Sequence, residues 1–213
     1  MEQNFLKWFE DYKFVAVIRS SSAEDAEEMI KAASAGGFKI FEISIQTPQA
    51  MRILESHSKE AECLFGAGMI ADGEMAQRAI NAGAKFLSNQ YTDRDIISVA
   101  KHNDCFVIQG ASTPTEAITA YRMGADLIKI YHAAFVGGPE YLRSLKANIP
   151  FIKLMASGGI SMENAFEYLK YCSAVCLRSS VFDKPLVRSD KWGEITDRAR
   201  QFTQKLEPLK VPK

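Results

Sequence analysis

Two kinds of run alternate along the chain. Short apolar runs rich in strand formers are separated by longer mixed stretches that begin at capping residues and end at glycine. The short runs predict strands at 14–19, 38–45, 62–65, 86–88, 105–108, 127–131, 150–155 and 174–177. A leading helix is expected at 5–12, and further helices at 23–35, 72–82, 92–102, 114–123, 161–170 and 191–206. Two more are expected, one starting at Thr47-Pro48 and one running from Gly137-Gly138-Pro139 to residue 146. Thr47-Pro48 and Thr113-Pro114 share one start signal, a capping hydroxyl followed by proline at the first helical position. Gly36-Gly37, Gly83 and Gly124 serve as stops, since glycine takes the left-handed turn that closes a helix. Residues 208–213 read as a loose tail.

Eight strand-then-helix units with near-continuous apolar strands imply a parallel sheet covered by helices. In 213 residues this favours one single-domain (β/α)8 (TIM) barrel with a short N-terminal helix over an open doubly wound sheet. No G-x-G-x-x-G follows the first strand, which weighs against a dinucleotide fold. A faint repeat supports the barrel: Glu42, Ser88 and Lys129 each stand five residues beyond a helix-closing glycine, Gly37, Gly83 and Gly124.

Composition narrows the function classes. Hydrophobic residues make up 47%, and 26 basic residues balance 26 acidic ones, so neither a nucleic-acid partner nor a membrane patch is indicated. No apolar run approaches the ~18 residues of a membrane span. The N-terminal residues mix charged and aromatic types unlike a signal peptide, which points to the cytoplasm. Cys63, Cys105, Cys172 and Cys176 form no C-x-x-C and read as reduced thiols, and His57, His102 and His132 are scattered, so no metal centre is expected.

The chemistry is suggested by a charge out of place. Lys129 lies inside Leu127-Ile128-Lys129-Ile130-Tyr131. Burial unpaired would depress its pKa, and a neutral amine is the nucleophile of Schiff-base enzymes; the alternative is a lysine whose head snorkels to the strand end. Glu42, inside Phe41-Glu42-Ile43, is the second anomaly, either an ion-pair partner for a barrel lysine or a group that moves protons. Lys153 is a rival nucleophile set farther from its strand end. Barrel sites lie at the C-terminal strand ends, here Arg19, Glu42 with Ser44, residues 66–68, Ser88, Gln109, Lys129, residues 157–159 and residues 178–180. Ser157-Gly158-Gly159 ahead of a helix offers bare amides for a phosphate, and Arg178, Ser179 and Ser180 add a cation and hydroxyls.

Together these pieces resemble the bacterial class I 2-keto-3-deoxy-6-phosphogluconate aldolases, which often also accept 4-hydroxy-2-oxoglutarate. The resemblance rests on Ala16-Val17-Ile18-Arg19, Phe41-Glu42-Ile43-Ser44, Gly66-Ala67-Gly68, Ser112-Thr113-Pro114-Thr115-Glu116, Gly124-Ala125-Asp126-Leu127-Ile128-Lys129 and Ser157-Gly158-Gly159-Ile160, in family order across nearly the whole chain. It implies a metal-free barrel without cofactor, commonly a trimer. It also implies Lys129 as imine lysine, Glu42 as general acid/base, and Arg19, Gly158, Gly159 and Ser180 at the phosphate or aldehyde end. Several positions depart from the family pattern. Gln46 replaces an arginine that holds the pyruvate carboxylate, and Met69 replaces a threonine. Ser88-Asn89-Gln90 replaces Ser-Pro-Gly, and Gln109 a proline. Tyr131-His132-Ala133 stands for Phe-Pro-Ala, and Arg178-Ser179-Ser180 for Gly-Gly-Ser. Losing an arginine–carboxylate pair removes roughly 1.5–3 kcal/mol of binding, so Gln46 joins the candidate substrate contacts, and Arg178 or His132 could take over the clamp.

The expected activity is cleavage of a small 2-keto acid to pyruvate and an aldehyde. Two alternatives share the fold. One is imine-dependent decarboxylation of an oxaloacetate-like acid; the other is a retired homologue that binds a metabolite without turnover.

Overall fold

The computed structural model describes residues 5–206; the tail expected at 208–213 lies outside the described residues. All eight apolar runs form strands: β1 (Phe14–Ile18), β2 (Ile40–Ser44), β3 (Leu64–Gly68), β4 (Phe86–Ser88), β5 (Phe106–Ala111), β6 (Leu127–Tyr131), β7 (Leu154–Ser157) and β8 (Ala174–Leu177). Each pairs in parallel with its sequence neighbours and β8 pairs with β1, so the sheet closes into a barrel. Parallel neighbours need a crossover, and helices supply it. The helices are α1 (Phe5–Tyr12), α2 (Ala23–Ala35), α3 (Ala50–His57), α4 (Gly73–Asn81), α5 (Arg94–His102), α6 (Pro114–Met123), α7 (Gly138–Asn148), α8 (Ala165–Leu169), α9 (Lys184–Arg188) and α10 (Trp192–Leu206). This is the single-domain (β/α)8 barrel expected of the chain. Among the described residues no helix is long and apolar enough to cross a membrane.

Local chemistry sets most helix boundaries. The Ser22 hydroxyl accepts the Asp25 amide at 3.0 Å, and Asp72 accepts the Met75 amide at 2.8 Å. Thr113 and Glu116 form a reciprocal capping box with Pro114 behind it. Gly124 closes α6 at φ +103°.

Five elements differ from expectation at a boundary. Thr47 is no cap: it is buried, its hydroxyl accepts the Ser20 amide at 3.3 Å, and α3 starts only at Ala50. A tertiary bond to the β1 loop thus overrides the local Thr-Pro signal. β3 and β5 run on through their glycines instead of stopping there. β7 starts at Leu154 rather than residue 150, which leaves Lys153 at the opposite end of the barrel from the mouth, paired with Glu10 of α1 at 3.1 Å. Ser161 does not start a helix; α8 begins at Ala165, so the Gly158-Gly159 turn is not a helix N-terminus.

The interior fills in layers. One residue from each strand, from Val15 of β1 round to Ala174 of β8, forms an apolar layer, and Phe9 of α1 plugs it from below. Its ring stacks on Phe106 at 5.4 Å and meets Phe86 edge-on at 5.4 Å. The larger core lies between the barrel and its helices. On that outer side His57, the last residue of α3, stacks on Phe65 at 4.8 Å; its Nε2 lies 2.8 Å from Glu27 of α2, and its Nδ1 meets Glu60.

Burial pushes the His57 pKa down, but the two carboxylates outweigh it and hold it above its ordinary 6.5. Because folding raises this pKa, the contribution to stability is complete below 6.5 and is lost as the pH climbs through the folded value. The stability difference between wild type and His57→Asn, followed by denaturant unfolding from acid to alkaline pH, is expected to shrink along the series. A difference that stays constant or grows would show that the cluster is not the cause.

Candidate active site

Side chains on a strand alternate between faces. The residues two beyond the plugged layer therefore also face the barrel axis: Val17, Glu42, Gly66, Ser88, Gly110, Lys129, Ser157 and Cys176. This second layer holds the two charges that looked misplaced in the sequence. Glu42 and Lys129 are only 5% and 2% exposed. β2 and β6 stand across the barrel from each other, and the Lys129 Nζ meets Glu42 Oε2 at 2.7 Å. The pair forms the floor of a cavity of about 220 Å³ at the C-terminal mouth.

Glycines make the room. A Cβ on Gly68 would lie 2.4 Å from the Glu42 carboxylate, one on Gly66 would lie 2.4 Å from the Phe86 ring, and one on Gly110 would lie 2.0 Å from the Gln90 backbone. Gly66-Ala67-Gly68 is therefore part of the strand because two inward-pointing neighbours occupy the space its side chains would take.

The pairing reverses one expectation. Burial alone would push the Lys129 ammonium down, but the adjacent Glu42 carboxylate outweighs it and holds the pKa above the ordinary 10.5. Lys129 thus holds its proton more firmly than burial alone would allow, in contact with a carboxylate that can accept it. Cys176 lines the same cavity; burial pushes its thiol up to about 12, which leaves it protonated at neutral pH.

Six of the expected contacts surround this floor: Arg19, Ser157, Gly158, Gly159, Arg178 and Ser179. Gln46 and Ser180 stand outside the cavity. Gln46 is exposed in the β2–α3 loop with its amide on the Ser44 hydroxyl at 3.4 Å, and the Ser180 hydroxyl is buried without a partner. His132 does line the cavity. Its ring stacks on Phe135 at 3.9 Å and packs on Gly158, where an added Cβ would lie 2.6 Å away; its Nδ1 is buried and unpartnered. Sequence reading missed Val17, Tyr131 and Cys176 as lining residues. The two-residue step along a strand, from Val15 to Val17, from Lys129 to Tyr131 and from Ala174 to Cys176, would have found all three. Among the described residues no group of three or more His, Cys, Asp or Glu side chains is placed to hold a metal ion.

The family model described as KDPG and KHG aldolase matches residues 7–198. The chain belongs to this family. The relatives of this aldolase include the 2-dehydro-3-deoxy-phosphogluconate aldolase of Pseudomonas aeruginosa, 25% identical over 195 residues that cover 91% of this chain and 89% of the relative. The KHG/KDPG aldolase of Escherichia coli K12 is 26% identical over 192 residues, 89% of this chain and 90% of that one. A KDPG aldolase from Legionella pneumophila, crystallised with pyruvate captured as a covalent carbinolamine intermediate, superposes with a TM-score of 0.84 over 95% of this chain and all of that one; at 24% identity the likeness is one of fold. Membership makes the protein an aldehyde-lyase.

Within this aldolase the buried pair has an energetic signature. Removing one partner strands the other charge in the core, which typically costs about 3–5 kcal/mol, whereas removing both can be neutral. Glu42→Leu and Lys129→Met alone are expected to lose stability on that scale, and the double variant to recover most of it in denaturant unfolding. Additive losses would mean that the two charges are not coupled. Gly68→Ala, whose new methyl collides with the Glu42 carboxylate, is expected to cut turnover more severely than stability; a variant with wild-type turnover would show that the carboxylate position is not critical.

Proposed function

We propose that this chain cleaves 2-keto-3-deoxy-6-phosphogluconate, 4-hydroxy-2-oxoglutarate or both to pyruvate and an aldehyde, with Lys129 forming the imine and Glu42 carrying protons. The observation that supports this is the 2.7 Å contact between Lys129 and Glu42 on the floor of a cavity at the barrel mouth. A proton passed from the ammonium to the carboxylate leaves the pair's net charge unchanged, so freeing the amine adds no net charge to the buried site. The amine then adds to the C2 ketone, and Glu42 returns its proton to the C2 oxygen, which departs as water; this restores the carboxylate and leaves a protonated imine that acts as an electron sink. Glu42, directly or through water, takes the C4 hydroxyl proton. The C3–C4 bond breaks, its electron pair flows into the imine, and the aldehyde leaves. The resulting enamine is protonated at C3, and water hydrolyses the imine to release pyruvate and restore the lysine.

Recognition of the keto-acid carboxylate differs from the family habit. Gln46 lies outside the cavity, and His132 takes the role of the missing arginine. Its ring is held by Phe135, and its Nδ1 has no protein partner. The protein assembles as a homo-oligomer, trimeric on the family pattern, and Tyr121 and Phe151, exposed aromatic rings 5.3 Å apart, offer an apolar patch for such contact. A reducing cytoplasm suits four cysteines that are all free thiols.

Borohydride reduction in the presence of pyruvate, followed by peptide mapping, is expected to place a single covalent adduct on Lys129. Lys129→Arg is expected to lose it, and Glu42→Gln to slow retro-aldol turnover by about 10²–10⁴-fold. An adduct elsewhere, or none, sinks the reading. Faster turnover of oxaloacetate than of either aldol substrate would instead favour the decarboxylase, and binding without conversion a retired homologue.

A further inference from the structure

We propose that a second cavity, beside the barrel mouth, receives the terminal phosphate of the substrate, and that Lys184 and Arg188 select for it. The identity of the substrate rests on the aldolase reading above; anion binding by the cavity does not.

The cavity has a volume of about 550 Å³ and lies between the β1–α2 loop and α9. Four cations line it: Arg19 at the end of β1, Arg178 at the end of β8, and Lys184 and Arg188 on α9. Asp25 is the one acid in the lining, and its carboxylate already accepts the Ser20 hydroxyl at 3.5 Å. Asp183, the residue at the N-cap of α9, is engaged by Arg198 at 3.4 Å. None of the four cations makes a side-chain hydrogen bond or ion pair among the described residues. Four like charges around one hollow repel one another, and a bound anion relieves that repulsion. A phosphate monoester, doubly charged with several acceptor oxygens, suits such a set better than a single carboxylate.

The two cavities meet. Arg19, Arg178 and Ser179 line both of them. A substrate whose C2 is at Lys129 can therefore send its distal arm over the rim between β8 and β1. The opposite corner is more crowded. The loop after β6 folds over Gly158 and Gly159, where added Cβ atoms would lie 2.6 Å from His132 and 2.3 Å from Ala134. The bulk and charge at Arg178 and Ser179 thus belong to an anion site that draws on α9, a helix that sequence patterning did not reveal.

The test is a double variant, Lys184→Ala with Arg188→Ala, in the full-length enzyme. Both side chains are exposed. The KM for 2-keto-3-deoxy-6-phosphogluconate is expected to rise about tenfold or more, while that for the unphosphorylated 2-keto-3-deoxygluconate stays within about twofold. Inorganic phosphate, titrated calorimetrically, is expected to bind wild type more tightly than the double variant and to compete with the phosphorylated substrate. Arg78→Ala with Arg122→Ala, an equal loss of charge on exposed helix positions away from the mouth, should change neither. Equal effects on the two substrates, or unaltered phosphate affinity, overturn the proposal. Non-competitive phosphate inhibition overturns the substrate-arm assignment in favour of a separate effector. If the wild type turns over neither sugar acid, the aldolase reading fails on its own, and the phosphate titration still decides the cavity.

Discussion

A lysine and a glutamate must share the dry centre of this barrel, and much of the molecule is arranged around that requirement. An isolated buried charge of either sign carries a desolvation penalty of several kcal/mol. The two side chains reach each other only because β2 and β6 face across the closed sheet and present them at one level. Closure of the barrel is thus what turns two unfavourable residues into one neutral unit. The unit stays poised: it is charge-balanced, and it sits at the base of a cavity through which a ligand can arrive.

That arrangement needs empty volume as well as pairing. Glycines on β3 and β5 remove the side chains that would otherwise collide with the Glu42 carboxylate, the Phe86 ring and the backbone after β4. Beneath them a full apolar layer and the Phe9 plug seal the lower barrel. The result is a floor that is polar, desolvated and reached from one side. The same logic demotes Lys153, which lies at the sealed end and satisfies its charge with Glu10 near the surface.

The rim is built on other lines than the floor. Gln46, expected among the substrate contacts, lies outside the main cavity. His132 is pressed against the glycine turn, and cations gather between β8, β1 and α9. The charged layer and the rim therefore obey different constraints. The layer is bound by strand register and close packing, where an added methyl has nowhere to go. The rim is built from loops and short helices that tolerate change, so recognition can drift while the central pair stays.

Much of this was legible in the residues alone. Eight apolar runs, capping residues such as Ser22, Asp72 and Thr113, and the spacing from Gly37, Gly83 and Gly124 to Glu42, Ser88 and Lys129 were enough for a barrel and for its two charged positions, because capping and strand period act over a few residues. The direction in which the Lys129 pKa moves was not, since it depends on a carboxylate 87 positions away in sequence. Thr47 failed as a helix start for the same reason: its hydroxyl serves a neighbouring loop. Helix α9, the retreat of α8 from the glycine turn, and the joining of Arg19 with Lys184 and Arg188 were likewise decided in three dimensions. Local propensity does not specify which distant surfaces meet, and closing the sheet does.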